Sequence, residues 1–221
     1  SRYNKNTLNQ HKVLDYNFQM ETAYHFDASL FGQFLRDNIA LPSGVNHYTD
    51  DVVDVKKDEN GYVTSVVVQS GEEYSADLYI DCTGFRSRLL GQEMESEFTS
   101  YKPWLSNDSA IATHIPYTNK EEQLTNSTDC TAIDNGWVWN IPLWNSIGTG
   151  YVYSSDFVDD ETAKKEFYSH LGTEDVDLIK IDIRHGCHKQ GWVKNVVGVG
   201  LSYGFVEPLE STGLISTIVV L

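Results

Sequence analysis

The run Gly198-Val199-Gly200 ends a strand-like stretch, and Phe205-Val206-Glu207-Pro208-Leu209-Glu210-Ser211-Thr212-Gly213 then leads into an apolar segment that reads as a helix. Glycines thin the backbone, Pro208 stiffens the loop, and a helix starting near Ser211 leaves its first N–H groups without intrahelical partners. The amides of Thr212 and Gly213 are then a seat for a halide, a phosphate or an oxyanion. Glu210 beside such a seat opposes an anion, unless its carboxyl does chemistry or stays protonated. The ordinary alternative is that Glu210 and Ser211 only cap the helix.

Two further segments carry chemistry. In Trp137-Val138-Trp139-Asn140-Ile141-Pro142, a strand places Trp137, Trp139 and Ile141 on one face. Paired indoles make a wide apolar wall, suited to a planar aromatic ligand or to keeping water from a reactive species. A stripe facing the core is the commoner use of such a pattern. Asp81-Cys82-Thr83-Gly84 follows a strand read as buried over 77–81 and precedes a helix expected over 85–90. Small residues at a strand-to-helix turn let backbone approach a ligand, and the helix start favours phosphate. Asp81 serves equally well as a local cap. Arg184-His185-Gly186-Cys187-His188 lacks the spacing of a metal site, so none is expected, and its residues read as solvent-facing strand. His25, His47 and His114 are scattered and read as structural, and the acidic stretches 156–161 and 174–177 as solvated helix ends.

The elements that must position these residues are of both kinds. Asp27 can cap a helix over 27–39, with Leu30, Phe31, Phe34, Leu35 and Ile39 at helical spacing and Pro42 and Gly44 as its stop. A β meander follows, with turns at 58–61 and 70–71, Asn60-Gly61 being a hairpin signal in which both central residues take positive φ. A second β-rich region spans 110–154 with a tight turn at Asn135-Gly136. Asp159-Asp160 caps a helix carrying Ala163, Phe167, Tyr168 and Leu171, and strand-like segments return at 178–183 and 196–200. The pattern is mixed α/β, with meanders inserted in a layered fold.

Composition narrows the function. The chain has 221 residues, 40% hydrophobic, enough for a packed core. Asp and Glu number 32 against 16 Lys and Arg, a formal charge of −16; nucleic acid and anionic membrane surfaces are thereby disfavoured as partners. No apolar run approaches the ~20 residues of a membrane span. Three scattered cysteines, Cys82, Cys130 and Cys187, suggest a reducing, cytoplasmic setting. The chain opens Ser1-Arg2-Tyr3 and closes inside an apolar stretch, which reads as residues 1–221 being the internal portion of one larger domain.

These segments, in this order, resemble the flavin-dependent tryptophan halogenase family. Trp137–Pro142 looks like its W-x-W-x-I-P signature, and Phe205–Gly213 matches its F-x-E-P-L-E-S-T-G segment nearly residue for residue; Tyr24-His25-Phe26-Asp27-Ala28 and Ile80–Arg86 also follow its pattern. The resemblance covers roughly residues 24–221. It implies an FAD-binding α/β fold of the glutathione-reductase type, akin to flavin monooxygenases, with mixed sheets and β meanders. It also implies FADH2-dependent halogenation of tryptophan or another electron-rich aromatic such as indole: reduced FAD and O2 give a flavin hydroperoxide, halide attack yields hypohalous acid, and this reaches the substrate through a short tunnel. The expected partners are a small aromatic substrate and a separate flavin reductase supplying FADH2, and the cofactors are FAD and chloride or bromide.

Carried over residue by residue, the resemblance makes Glu210 catalytic and gives the halide to the amides of Thr212 and Gly213. Ser211 links the flavin and substrate pockets. Thr83, Gly84, Leu209 and Leu214 lie against the flavin, Val52 near the adenine, and Trp137 and Trp139 between halide and substrate. The family's G-x-G-x-x-G fingerprint and catalytic lysine are missing from these 221 residues, so this polypeptide alone is expected to bind FAD weakly. Two rivals remain. A flavin-dependent aromatic monooxygenase usually places aspartate after the glycine of its third flavin segment, where this chain has Leu201. A catalytically inactive, binding-only fragment is the other.

Overall fold

The computed structural model describes residues 24–209 and 213–220. In chain order the strands are β1 (Val52–Lys57), β2 (Val63–Val68), β3 (Glu73–Tyr74), β4 (Tyr79–Asp81), β5 (Phe98–Ser100), β6 (Ser109–Ile115), β7 (Asp129–Ile133), β8 (Gly136–Pro142), β9 (Ile147–Tyr153), β10 (Ile179–Asp182), β11 (Gly186–His188), β12 (Trp192–Val193), β13 (Val196–Gly198) and β14 (Gly204–Phe205). The α-helices are α1 (Ala28–Leu35), α2 (Lys120–Gln123), α3 (Asp160–Leu171) and α4 (Gly213–Val220). The chain divides into two compact units, Ser1–Asn46 with Ser109–Ile181 and His47–Asp108 with Asp182–Leu221.

The first unit is a five-stranded sheet in the order β10-β6-β9-β8-β7, with α3 on one face. Alternation along β8 and β9 sends Val138, Tyr151 and Tyr153 to the face where Ala163 and Phe167 of α3 are buried with Ile111. Each fully buried large apolar side chain contributes roughly 1.5–3 kcal/mol. The helix starts where expected: the Asp159 carboxylate accepts from the Thr162 amide at 2.8 Å, and Gly172, at φ +72°, ends it. Two phenols tie helix to sheet, Tyr151 donating to Glu166 at 2.7 Å and Tyr153 to Asp160 at 2.6 Å. Burial and the hydrogen bond to Asp160 push the Tyr153 phenol up to about 12, so both remain donors at neutral pH. The α1 helix is capped by Asp27, whose carboxylate accepts from the Leu30 amide at 2.9 Å. It continues as a π-helical turn, Arg36–Ala40. Its apolar residues Leu30, Phe31, Phe34, Leu35 and Ile39 are all exposed.

In the second unit β1, β2 and β3 form the expected meander. Its first turn is not a two-residue hairpin. Only Gly61 takes positive φ (+75°), the Asp58 carboxylate accepts from the amides of Asn60 and Tyr62, and the register slips between Lys56 and Lys57. This is a three-residue loop closed by a glycine bulge. The Asn135-Gly136 turn also differs. There, in the first unit, Asp134 and Asn135 form the loop and Gly136 already stands in β8, where only glycine fits because a Cβ would meet the Val152 carbonyl oxygen at 1.9 Å. The strand over 77–81 alternates instead of being buried throughout: Tyr79 and Asp81 point inward, Leu78 and Ile80 outward. The helix expected over 85–90 is broken. A 3-10 turn, Gly84–Arg86, stops at Ser87 in the left-handed region (φ +44°), and a π-helical turn, Arg88–Glu93, restarts the chain. That reversal brings the amides of Leu89 and Leu90 onto Asp81.

Candidate functional site

Strands β4 and β13 run parallel, with Gly198 opposite Asp81. Their carboxyl ends carry the two glycine-bearing turns that the sequence singles out, 81–84 and 198–205. The crevice beyond the carboxyl ends of parallel strands is where α/β folds bind nucleotides. The Asp81 main-chain oxygen accepts from the Val199 amide at 2.9 Å and from the Ser202 hydroxyl, and Ser87 donates to the Ser202 carbonyl at 2.7 Å. Gly198 is required by contact, since a Cβ there would sit 2.4 Å from Leu90 Cδ2.

Asp81 is the cap, not a ligand. Its fully buried carboxylate accepts from the Thr83 amide (2.9 Å), the Thr83 hydroxyl (2.6 Å), and the Leu89 and Leu90 amides (both 2.8 Å). The amides that a phosphate would use at this turn are therefore occupied by the chain's own carboxylate. Thr83 also accepts from the Arg88 amide at 2.7 Å. What faces outward is Gly84, at φ +67° with open space where a Cβ would stand. Burial, and then the Asp81 charge, raise the Cys82 thiol above its ordinary range, so Cys82 is no thiolate nucleophile at neutral pH.

From the second turn, β14 pairs with β11, and β11 with β5. The expectation that residues 184–188 face solvent is wrong: His185 and His188 are 3% and 2% exposed. Their partners explain the burial. His188 Nδ1–H donates to the Ser96 carbonyl at 2.7 Å, and its Nε2 accepts from Arg184 Nη2 at 2.8 Å, which fixes a neutral ring. The Arg184 guanidinium stands 3.7 Å from the centre of the Phe98 ring. The His185 ring nitrogens face the carbonyls of Val206 and Asn107. Sequence reasoning missed these residues because a histidine's burial is set by its partners, and those lie far away in sequence. Beyond β14, the Glu207 carboxylate accepts from the Leu209 amide at 3.0 Å. Leu209 and, on α4, Leu214 are exposed. Glu210, Ser211 and Thr212 lie outside the described residues. Val52, at the start of β1, packs against the core of Val55, Val63 and Tyr79.

The tryptophans belong to the first unit. Val138 faces α3, so Trp137, Trp139 and Ile141 occupy the opposite face, which corrects the reading of them as a stripe on that core. The indole centroids are 6.2 Å apart, with planes inclined by 59°. Trp139 lies over Gly150, its cross-strand partner, where a Cβ would meet the ring at 2.2 Å. Trp139, Ile141, Phe26, Leu143 and Ile179 line a cavity of about 290 Å³, rimmed by Asp27, Thr113 and His114. His25 holds its edge, Nδ1–H donating to the Pro142 carbonyl at 3.1 Å and Nε2 accepting from the Thr128 hydroxyl at 3.0 Å.

Residues 2–220 match the family model described as tryptophan halogenase. Over 198 residues the chain is 42% identical to the 7-chloro-L-tryptophan 6-halogenase KtzR of Kutzneria sp. (strain 744), which covers 89% of this chain and 38% of that protein. Among solved structures, apo VirX1 is similar with a TM-score of 0.83 at 53% identity, over 86% of this chain and 37% of that one. The tryptophan 6-halogenase SttH from Streptomyces toxytricini gives 0.82 at 41% identity, over 86% and 38%. The chain thus spans less than two fifths of the curated relatives it matches. The parallel β4–β13 pair with its two turns, the mixed sheets and these likenesses define an FAD-binding α/β fold of the glutathione-reductase type, and the chain belongs to the tryptophan halogenase family.

Proposed function

We propose that the whole protein halogenates an electron-rich aromatic, tryptophan or another indole, at the expense of reduced FAD, O2 and a halide. The observation that carries this reading is the parallel β4–β13 pairing, which sets the Thr83-Gly84 turn beside the turn feeding Phe205–Gly213. The residues present suit a flavin. Gly84, at φ +67° with open space where a Cβ would stand, leaves its backbone open to a ligand, and Leu209 and Leu214 offer exposed apolar surface for a flat ring. Thr83, Gly84, Leu209 and Leu214 would hold the flavin, with Val52 toward the adenine. When bound, reduced FAD with O2 supplies the oxidant that turns halide into hypohalous acid.

The chain's own residues do the rest. The start of α4 carries about half a positive charge, which suits a halide on the amides of Thr212 and Gly213. Trp137 and Trp139 keep water from the hypohalous acid, and the cavity beside Trp139 suits a planar aromatic. At the substrate a carbon–halogen bond forms and a C–H bond breaks. The Glu210 carboxylate either activates the halogenating species or takes the ring proton, and it stabilises the arenium cation. Ser211 connects the two pockets through the backbone, and a separate reductase delivers FADH2. Supplied with reduced flavin, bromide and indole, the whole protein should yield bromoindole, and Glu210→Gln should lower the rate by about 100-fold or more. A hydroxylated product without a brominated one would sink the proposal in favour of a monooxygenase.

A further inference from the structure

We propose that the cavity on the Trp139 face of the first unit seats an indole that carries no carboxylate, with the ring N–H donating to Asp27. The inference rests on the reading above and deepens it, since it names the substrate class of the same reaction.

The sheet makes the space. Ile111, Val138 and Tyr151 point toward α3, so alternation turns Ala112, Trp139 and Gly148 to the opposite face. Along the strand order β10-β6-β9-β8, two small residues lie between bulkier ones: Ile179, then Ala112 and Gly148, then Trp139. The His114 ring runs along Gly148, 3.5 Å from where a Cβ would stand. Residues 26–29 form the roof, and that roof is tied down. His25 bonds to the Pro142 carbonyl and the Thr128 hydroxyl, and the Phe26 ring meets Phe31 at 5.0 Å. The space of about 290 Å³ is thus built before any ligand arrives. It stands at the small end of ligand sites, which run from roughly 300 Å³ upward, and suits one bicyclic ring.

The polar groups choose among bicyclic rings. Asp27 accepts from the Leu30 amide through Oδ1, and its Oδ2 has no partner among the described residues. A carboxylate oxygen only accepts, so what it can take up is a donor: an indole N–H or an ammonium. No lysine or arginine is among the residues that line the cavity. The basic side chain there is His114, whose Nδ1 lies 3.4 Å from the Ser146 hydroxyl. A carboxylate on the ligand would therefore meet Asp27 with no fixed cation to offset it, and like charges at close range repel. Indole and tryptamine fit this lining, indole-3-acetate does not, and free tryptophan fits less well than tryptamine.

The test is calorimetric titration of the 221-residue polypeptide, without flavin, at pH 8, above the ordinary histidine range of about 6.5. Indole and tryptamine should bind, and indole-3-acetate should bind about 10-fold more weakly than indole, the scale of one close like-charge contact. Asp27→Asn keeps a capping oxygen and removes the charge, so it should close that gap. Ala112→Leu fills the trough and should abolish indole binding. No binding of indole overturns the proposal, as does equal binding of indole and indole-3-acetate by the unsubstituted chain, or undiminished binding in Ala112→Leu. Should the polypeptide fail to melt cooperatively, the ratio of KM for the two compounds in bromination by the whole protein decides: Asp27→Asn should lower it, and an unaltered ratio overturns the proposal. Binding does not depend on turnover. If indole binds with this selectivity and the whole protein brominates nothing, the halogenase reading has failed and the site has not.

Discussion

Histidine 188 shows how partners dictate a protonation state. With burial disfavouring charge and the Arg184 cation donating to Nε2, its pKa lies below the usual 6.5. The Ser96 carbonyl and Asp81 oppose that shift without reversing it. The fold thus prefers the neutral ring, and the unfolded chain takes up the proton first as pH falls. This contribution is complete above about pH 6.5 and is lost as pH drops from there toward the lowered folded value. The melting temperature should fall from about pH 7.5 to about pH 5.5, and His188→Asn should flatten that slope. An unchanged slope in the variant would remove His188 as its source. None of this was legible beforehand: the five residues 184–188 read as exposed strand because their acceptors, Ser96, Asn107 and Val206, are remote in sequence. The shared face of Trp137 and Trp139 was legible, since two indoles at period-two spacing in a strand must point the same way.

At the level of elements, capped helices and period-two strands were the readable part. Asp27 and Asp159 start α1 and α3 as anticipated, and the meander lies within a residue or two of its expected limits. What escaped was the broken helix after Gly84. The cause is a tertiary one, four donors converging on Asp81, and residues 85–90 taken alone give no sign of it. The parallel pairing of β4 with β13 escaped too, because a parallel partner is brought by crossover, not by a turn. The β8–β9 pair yields a sharp prediction. Gly150 exists to let Trp139 lie across it, so Gly150→Ala should displace the indole, shift tryptophan fluorescence, and cost about 1–3 kcal/mol as an overpacked site. Unaltered fluorescence and urea midpoint would show that the indole does not need the glycine.

Over the whole molecule, an acidic surface and the family together set expectations for binding. Formal charge −16 argues against polyanion partners, and among the described residues no helix is long and apolar enough to cross a membrane. The chain carries the two glycine-bearing turns at the ends of β4 and β13, for which flavin contact is proposed, but no G-x-G-x-x-G sequence. Titrating the 221-residue polypeptide with FAD should therefore give no tight complex, and a stable yellow protein would contradict this. Asp81 offers the physical reason. By gathering four donors on its own carboxylate it brings an internal counter-anion to the place where a diphosphate would otherwise dock. On the proposed reading, this turn would shape the cofactor's bed without a charge to grip it, so salt sensitivity in the nucleotide's affinity would originate in other stretches of backbone.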